Sequence, residues 1–129
     1  MSLVIDASVV TALCMARGGF GLLDPEVLLA PVLVRSEVAS ALCSLEWRRE
    51  ISRELADAAV ERLREAPIEL VVDAGLTLRA IHLARSLGWA KSYDAEYVSL
   101  AMVRDCPLMT IDDRLARRVA HLVETRRPV

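Results

Sequence analysis

The 129-residue sequence is poor in aromatic residues and in cysteine. Aromatic residues make up 4% of the chain, so the core must be built from Val, Leu, Ile and Ala, and a hydrophobic content of 54% argues against disorder. Cys14, Cys43 and Cys106 show no CxxC spacing, which argues against a zinc site and a disulfide framework. All three cysteines lie in apolar stretches, and we expect them to be buried.

The sequence also lacks an apolar run of membrane-spanning length and a recognisable targeting segment. We therefore expect a cytoplasmic protein that does not enter a membrane. The length predicts a single domain covering residues 1–129.

Lysine is almost absent, since Lys91 is the only lysine among sixteen basic residues. The net charge of −2 gives no general sign of a nucleic-acid partner, but arginines crowd the C-terminal part of the chain. The planar guanidinium group suits phosphate contacts because it donates two hydrogen bonds at once. The alternative, that these arginines only cover solvated helix faces, stays open. The crowded positions are Arg114, Arg117, Arg118, Arg126 and Arg127.

Short apolar segments alternate with amphipathic ones along the chain. The pattern predicts strands at 3–5, 28–30, 68–72 and 107–111, a last short strand within 123–129, and helices at 7–16, 33–47, 52–65, 77–87, 93–104 and 113–122. Ser8 is the predicted N-cap region of the first helix. Such alternation is typical of an α/β fold with a short, mostly parallel central sheet flanked by helices.

Acidic residues follow two of the predicted strands. Asp6 ends the first strand and Asp112 ends a late one, and functional groups gather at the carboxyl ends of parallel strands. Glu37 lies beside the apolar stripe of its helix, and Asp94 opens another helix. Each has an ordinary alternative, as a helix cap or a surface residue, although Asp6 beside a core requires a partner.

Carboxylates gathered at one place repel each other, and some of them take up protons. A hard cation such as Mg²⁺ relieves this repulsion and prefers oxygen ligands. The chemistry that follows is phosphodiester hydrolysis. The sequence offers no competing glycine-rich phosphate loop and no recognisable Ser or Cys nucleophile motif.

Four segments together resemble a known family. They are VIDASV at 4–9, SEV at 36–38, YDAEYVSLA at 93–101 and MTIDDRLA at 109–116. The chain is similar to PIN-domain ribonucleases, in particular the VapC-type toxins of bacterial type II toxin–antitoxin systems, over essentially its whole length. The resemblance implies a single PIN domain with a PIN-like three-layer fold and metal-dependent endoribonuclease activity.

The resemblance also assigns roles to individual residues. It implies that Asp6, Glu37, Asp94 and Asp112 bind Mg²⁺, for which Mn²⁺ can substitute, and that Thr110 and Ser8 support the site. Candidate RNA contacts are Arg114, Arg117 and Lys91. Asp113 is ambiguous, but the Thr-x-Asp register favours Asp112 as the ligand and Asp113 as the start of the helix. We expect Glu96 to point away from Asp94 and to lie on a solvated face.

Partners follow from the same resemblance. It implies that the protein cleaves tRNA or ribosomal RNA and so stops translation, and that it forms a homodimer. It also implies that a VapB-type antitoxin inhibits the protein by reaching the acidic pocket, and that DNA is contacted only through this antitoxin. The apolar residues of the early helices offer a groove for this antitoxin or belong to the core. These residues are Leu13, Met15, Leu42, Leu45 and Trp47.

Two other classes of function compete with this interpretation. A PIN-like domain without catalysis would serve only to bind nucleic acid or protein, and metal binding distinguishes it from the enzyme. A receiver-like signalling domain is also a small α/β fold with acids at strand ends. It would require an acidic pair after the first strand and a late lysine, whereas Asp6 stands alone and no lysine follows Lys91.

Overall fold

The computed structural model describes residues 1–128. Its strands are β1 (Ser2–Ile5), β2 (Val27–Pro31), β3 (Ile68–Val71), β4 (Leu108–Met109) and β5 (Thr125–Arg126). Its α-helices are α1 (Ala7–Met15), α2 (Leu33–Trp47), α3 (Arg53–Arg64), α4 (Ala74–Leu87), α5 (Tyr93–Arg104) and α6 (Asp113–Val119). A short 3-10 helix, Gly19–Leu23, follows α1.

The strands form one sheet in the order β3-β2-β1-β4-β5, and every neighbouring pair is parallel. In the central strand β1, Leu3 pairs with Leu28 of β2, and Val4 pairs with Leu108 of β4. All four of these side chains are buried, because helices cover both faces of a parallel sheet. The predicted α/β class with a short parallel sheet is confirmed.

The helices form two layers around the sheet. Helices α1, α2 and α3 contact one another, and α4 packs on α5. Because crossovers between parallel strands are right-handed, the β1-to-β3 connections place α1–α3 on one face and the later connections place α4–α6 on the other. The core between the layers is mainly aliphatic, with Tyr97 as its largest fully buried side chain.

The chain changes direction across the sheet between β1 and β4. From β1 it proceeds outward to β2 and β3, and it then returns to the other side of β1 to form β4 and β5. In open α/β sheets, ligands bind beyond the carboxyl ends of the strands at such a switch point. Here the backbone N–H of Asp6 donates to the carbonyl of Met109 at 3.2 Å, so the ends of β1 and β4 are held side by side.

One predicted helix start was wrong by three residues, and one predicted helix cap was misplaced. Asp6, and not Ser8, is the N-cap of α1, since its side chain accepts a hydrogen bond from the N–H of Val9. Helix α4 begins at Ala74 and not at 77, because Asp73 caps it through the N–H of Gly75. The last predicted strand is present as the two-residue β5, while Val129 lies outside the described residues.

Two expectations about apolar residues also changed. Cys14 is buried and Cys106 half-buried, but Cys43 is exposed on α2, so the expectation of three buried cysteines was wrong. Of the early-helix residues expected to offer a groove, Leu13 and Leu42 belong to the core, whereas Trp47 is 85% exposed. Within residues 1–128, no helix is both long and apolar enough to span a membrane.

Candidate active site

Asp6 is a buried carboxylate at the carboxyl end of β1, and its side chain is held on both oxygens. The Ser8 hydroxyl donates to Oδ1 at 2.5 Å, and the Thr110 hydroxyl donates to Oδ2 at 2.5 Å. The backbone N–H of Val9 also donates to Oδ1, at 3.1 Å. Asp6 is 6% exposed, so these donors compensate for much of its lost hydration.

The same two hydroxyls join the loops that follow β1 and β4. Ser8 Oγ accepts the N–H of Ile111 at 3.2 Å, and Thr110 Oγ1 accepts the N–H of Asp112 at 3.0 Å. Each hydroxyl therefore accepts a backbone bond and donates its own proton to Asp6. This arrangement fixes the loop that carries Asp112 relative to Asp6.

Burial raises the pKa of Asp6 above its usual value of 3.8. The hydrogen bonds from Ser8, Thr110 and the backbone act in the opposite direction, since they stabilise the charged carboxylate. Desolvation is the larger effect. The ionised form of Asp6 is therefore costly in the protein without a nearby positive charge.

Glu37 projects from α2, and its side chain is bound to a buried tyrosine. The hydroxyl of Tyr97 on α5 donates to Glu37 Oε1 at 2.7 Å. Desolvation raises the pKa of Glu37, and the charges of Asp94, Asp6 and Glu96 raise it further, while the bond from Tyr97 lowers it. Burial and the neighbouring Glu37 raise the pKa of Tyr97, which therefore stays a protonated donor.

Asp94 and Asp112 are the exposed members of the set. Asp94 lies in the first turn of α5, and its pKa is raised by desolvation and by the charges of Asp6 and Asp112. Asp112 is the N-cap of α6, where its Oδ1 accepts the N–H groups of Arg114 and Leu115 at 2.9 and 3.2 Å.

Asp113 is the first residue of α6, as the Thr-x-Asp register predicted. Its side chain forms an ion pair with Arg127. Asp112 lines the cleft that Glu37 and Asp94 also line, and Asp113 is not part of that lining.

The four predicted carboxylates thus meet at one end of the sheet, where each interacts electrostatically with at least one of the others. Their oxygen donors suit a hard divalent cation, and a positive charge among them would oppose the desolvation and repulsion that raise the pKa values of three of them. Within residues 1–128, however, no group of three or more acidic, His or Cys side chains stands ready to hold a metal ion.

The acidic residues border a cleft of about 530 Å³, a volume typical of ligand sites. Glu37, Asp94 and Asp112 line it, and so do several basic and aromatic side chains. These are Trp89, Lys91, Tyr93, Arg114 and Arg118, and the guanidinium carbon of Arg118 lies 5.0 Å from the centre of the Trp89 ring. Of the candidate RNA contacts, Lys91 and Arg114 line the cleft, whereas Arg117 is exposed on α6 and does not.

Sequence reasoning missed some of these residues. Glu96 is half-buried and its charge raises the pKa of Glu37, so its expected place on a solvated face was wrong. Tyr97 follows Asp94 by one helical turn, and Arg118 follows Arg114 in the same way. That spacing places each pair on one helix face and was the available signal.

A family model described as the PIN domain matches residues 3–122, and the chain belongs to this family. It is 33% identical over 115 residues to VapC ribonuclease Mb0985 of Mycobacterium bovis, covering 88% of each chain. It is also 34% identical over 125 residues to ribonuclease VapC1 of Mycobacterium tuberculosis, covering 88% of this chain and 87% of the relative. This membership sets aside the receiver-like alternative.

Solved structures share the fold. The crystal structure of PAE2754 from Pyrobaculum aerophilum matches with a TM-score of 0.71 at 22% identity, covering 96% of this chain and 92% of that one. The structure of VapBC2 from Rickettsia felis, bound to a DNA fragment from its promoter, matches with a TM-score of 0.68 at 13% identity, with 98% of both chains covered. These likenesses confirm the PIN-like architecture.

Proposed function

We propose that this chain is a divalent-metal-dependent endoribonuclease and the toxin of a VapBC-type toxin–antitoxin pair. The observation that carries the proposal is the meeting of Asp6, Glu37, Asp94 and Asp112 at the switch point of the sheet, with the pKa values of three of them raised. Relatives named as ribonucleases, 33% and 34% identical over most of the chain, support the same activity.

In this proposal the four carboxylates hold Mg²⁺ or Mn²⁺. When bound, such a cation would supply polarisation of the scissile phosphate and activation of water for phosphodiester hydrolysis. Asp6 is the fixed member, because Ser8 and Thr110 orient both of its oxygens. Glu37 is oriented by Tyr97, and Asp94 and Asp112 lie at the solvent side.

The remaining residues of the cleft bring the substrate to the acids. A carboxylate cluster repels an RNA backbone, so binding needs nearby positive charge. Lys91 and Arg114 line the same cleft as Asp94 and Asp112 and would supply that charge. The RNA backbone would then be held near the acidic residues by these basic side chains as well as by the metal ion.

The biological partners are proposed from the relatives. The structures of VapBC2 from Rickettsia felis and of VapBC-1 from nontypeable Haemophilus influenzae share the fold of this chain, which supports a VapB-type antitoxin as its partner. We propose that the antitoxin covers the acidic cleft, that any DNA contact runs through the antitoxin, and that the toxin is a cytoplasmic homodimer. The proposed substrates are tRNA or ribosomal RNA, whose cleavage would stop translation.

A binding-only PIN-like module is the second candidate. It is favoured by one observation, that the acids within residues 1–128 do not stand as a ready-made metal site. Such a module would bind RNA or a protein without cleaving either and would not need a cation.

The experiment that tests the proposal is cleavage of total RNA by the purified, antitoxin-free protein. Cleavage with Mg²⁺ or Mn²⁺ that is lost in EDTA and in Asp6→Asn supports the enzyme. A well-folded protein that cleaves neither tRNA nor ribosomal RNA with either metal contradicts the proposal and favours the binding-only module.

A further inference from the structure

The loop that follows β4 carries Asp112, and the chain holds this loop from both neighbouring strands of the sheet. On the β1 side, the hydroxyl of Ser8 accepts the N–H of Ile111 at 3.2 Å. On the β5 side, the backbone carbonyl of Arg126 accepts the N–H of Thr110 at 3.0 Å. The C-terminal strand therefore borders the candidate active site.

Arg127 directly follows β5, and its guanidinium group binds the residues on either side of Asp112. Its Nη1 donates to the backbone carbonyl of Ile111 at 3.4 Å and also forms an ion pair with Oδ1 of Asp113. One side chain is thereby attached to the loop before Asp112 and to the first residue of α6 after it. Because Asp112 lies between these two attachment points, the position of its carboxylate depends on both of them.

The ion pair is too exposed to contribute much to the stability of the fold. The Arg127 and Asp113 side chains are 58% and 67% exposed, and exposed ion pairs are weakened by hydration and by salt. Such a contact still restricts the conformations of the loop that it holds. Arg127 was grouped from the sequence with arginines that contact phosphate or cover a solvated helix face, whereas the structure shows it bound to acceptors of its own chain.

We propose that Arg127 is a positioning residue for Asp112 and holds that carboxylate where it can share a cation with Asp6. Arg127 acts through Ile111 and Asp113 and is not itself a metal ligand, because a guanidinium group accepts no bond. Side chains that orient metal ligands commonly change metal affinity by about 10- to 100-fold. This inference rests on the proposed metal-dependent function and adds a C-terminal residue on which the geometry of the site depends.

Simple electrostatics predicts the opposite effect for the loss of Arg127. Removing a positive charge near a cation site relieves repulsion, so through-space charge alone would tighten metal binding in Arg127→Met. A loss of positioning would weaken metal binding instead. The sign of the change in Mn²⁺ affinity therefore distinguishes the two effects.

The first test is calorimetric titration of the metal-free protein with Mn²⁺. Arg127→Met should weaken binding about tenfold, the lower end of what residues that orient metal ligands contribute. The melting temperature of the metal-free variant should stay within about 3 °C of the wild type, because the lost ion pair is exposed. Unchanged or tighter Mn²⁺ binding in Arg127→Met overturns the inference.

Arg126→Met is the matched control. It removes the same charge one residue away, where the guanidinium group pairs with Glu124 at 3.1 Å, and it leaves the backbone bond to Thr110 in place. We expect its Mn²⁺ affinity to stay within about twofold of the wild type, since the charge of an exposed side chain is screened by salt. Weakening equal to that of Arg127→Met overturns the inference.

A double variant tests whether Arg127 acts through its ion pair. Residues that work as a unit do not have additive effects. Asp113→Asn combined with Arg127→Met should therefore bind Mn²⁺ within about twofold of Arg127→Met alone. Weakening by the product of the two single effects would mean that the two side chains act separately and would overturn the inference.

Amide hydrogen exchange of the metal-free protein gives a measurement that needs no cation. The N–H of Asp112 is bonded to Thr110 Oγ1 at 3.0 Å, and the N–H of Leu115 is bonded to Asp112 Oδ1 at 3.2 Å. A loosened loop should exchange these amides about fivefold faster in Arg127→Met and at the wild-type rate in Arg126→Met. Unchanged exchange in Arg127→Met overturns the inference.

The two levels of the proposal fail in different ways. If the wild-type protein binds Mn²⁺ and Arg127→Met binds it equally well, the metal site stands and the positioning role is wrong. If the wild-type protein binds no Mn²⁺ but Arg127→Met exchanges the loop amides faster, the metal-dependent function is wrong and Arg127 still positions Asp112.

Discussion

The hydroxyl of Tyr97 donates a 2.7 Å hydrogen bond to Glu37 Oε1 and links α5 to α2. Tyr97 is 1% exposed, so the donor approaches Glu37 from inside the core. One oxygen of Glu37 is thereby fixed on the protein side, and the carboxylate is turned toward the cleft that it lines. The core of the fold and the orientation of a site residue depend on the same side chain.

Tyr97→Phe removes this hydroxyl and keeps the ring in the core. We expect RNA cleavage to fall about tenfold or more, which corresponds to the loss of a hydrogen bond to a charged group of roughly 1.5 kcal/mol. Because the bond lowers the pKa of Glu37, its loss should also move the acidic limb of the pH–activity profile to higher pH. The measurement is a pH–rate profile at one fixed Mn²⁺ concentration below saturation.

Thr11→Val is the matched control for this variant. It removes a buried hydroxyl that donates to the carbonyl of Ala7 and makes no contact with the four acids. An acidic limb that moves equally in both variants would mean that Tyr97 does not act through Glu37.

Asp94→Asn should abolish cleavage and leave the metal-free protein as stable as the wild type or more stable. The raised pKa of Asp94 means that its charge is disfavoured in the folded state, where burial removes water from it and Asp6 and Asp112 repel it. Thermal melts in EDTA check this, with Asp57→Asn on α3 as a control for the loss of an exposed charge. A clear drop in melting temperature for Asp94→Asn alone would contradict the clustering of the acids.

The stability of the metal-free protein should depend on pH through the same groups. In the folded protein, the pKa values of Asp6 and Asp94 lie above the usual 3.8 for an aspartate, and that of Glu37 lies above the usual 4.5 for a glutamate. Between the usual and the raised pKa values, the folded protein therefore binds more protons than the unfolded chain does. These groups therefore favour folding at low pH, and that contribution is lost as pH rises through the raised pKa values.

We expect the wild type to lose more stability than Glu37→Gln in EDTA as the pH rises above the usual carboxyl pKa values through the raised ones. The difference should disappear with saturating Mg²⁺, because the cation replaces the missing positive charge. Urea denaturation at each pH gives the free energies of unfolding. Parallel curves for the two proteins without metal would count against a raised Glu37 pKa.

Thr110 tests the link between the two strand ends. Thr110→Val leaves Asp6 Oδ2 and the N–H of Asp112 without their shared partner, and we expect the free energy of unfolding to fall by about 2 kcal/mol. Thr110→Ser keeps both bonds and should stay within about 1 kcal/mol of the wild type, since it removes one buried methyl group. Equal losses in the two variants would assign the effect to packing and not to the hydroxyl.

The alternation of apolar and amphipathic segments was sufficient to predict the α/β class and the parallel sheet. The strands β1, β2 and β4 are largely buried on both faces, so their continuous apolar runs could be recognised in the sequence. The largest error in a helix start was at α4. Asp73 extends α4 by three residues beyond the predicted start at 77, and that depends on a local side-chain bond to Gly75 that periodicity does not record.

The four acids could be chosen from the sequence, but not the residues that orient them. Tyr97 has the pattern of an ordinary core residue, and its hydroxyl reaches Glu37 across 60 positions of the chain. The guanidinium group of Arg118 is positioned by a cation–π contact with the ring of Trp89, which lies on the preceding α4–α5 loop. Such contacts depend on tertiary packing, which neither composition nor spacing encodes in one sequence.

Titration of the metal-free protein with Mn²⁺ by calorimetry tests most directly whether Asp6, Glu37, Asp94 and Asp112 form a cation site. We predict saturable binding whose proton release increases as the pH is lowered, because carboxyls with raised pKa values must deprotonate to bind the ion. The binding should be lost in Asp94→Asn and kept in Asp57→Asn. Folded wild-type protein that binds no Mn²⁺, or binding that Asp94→Asn leaves unchanged, would contradict the account.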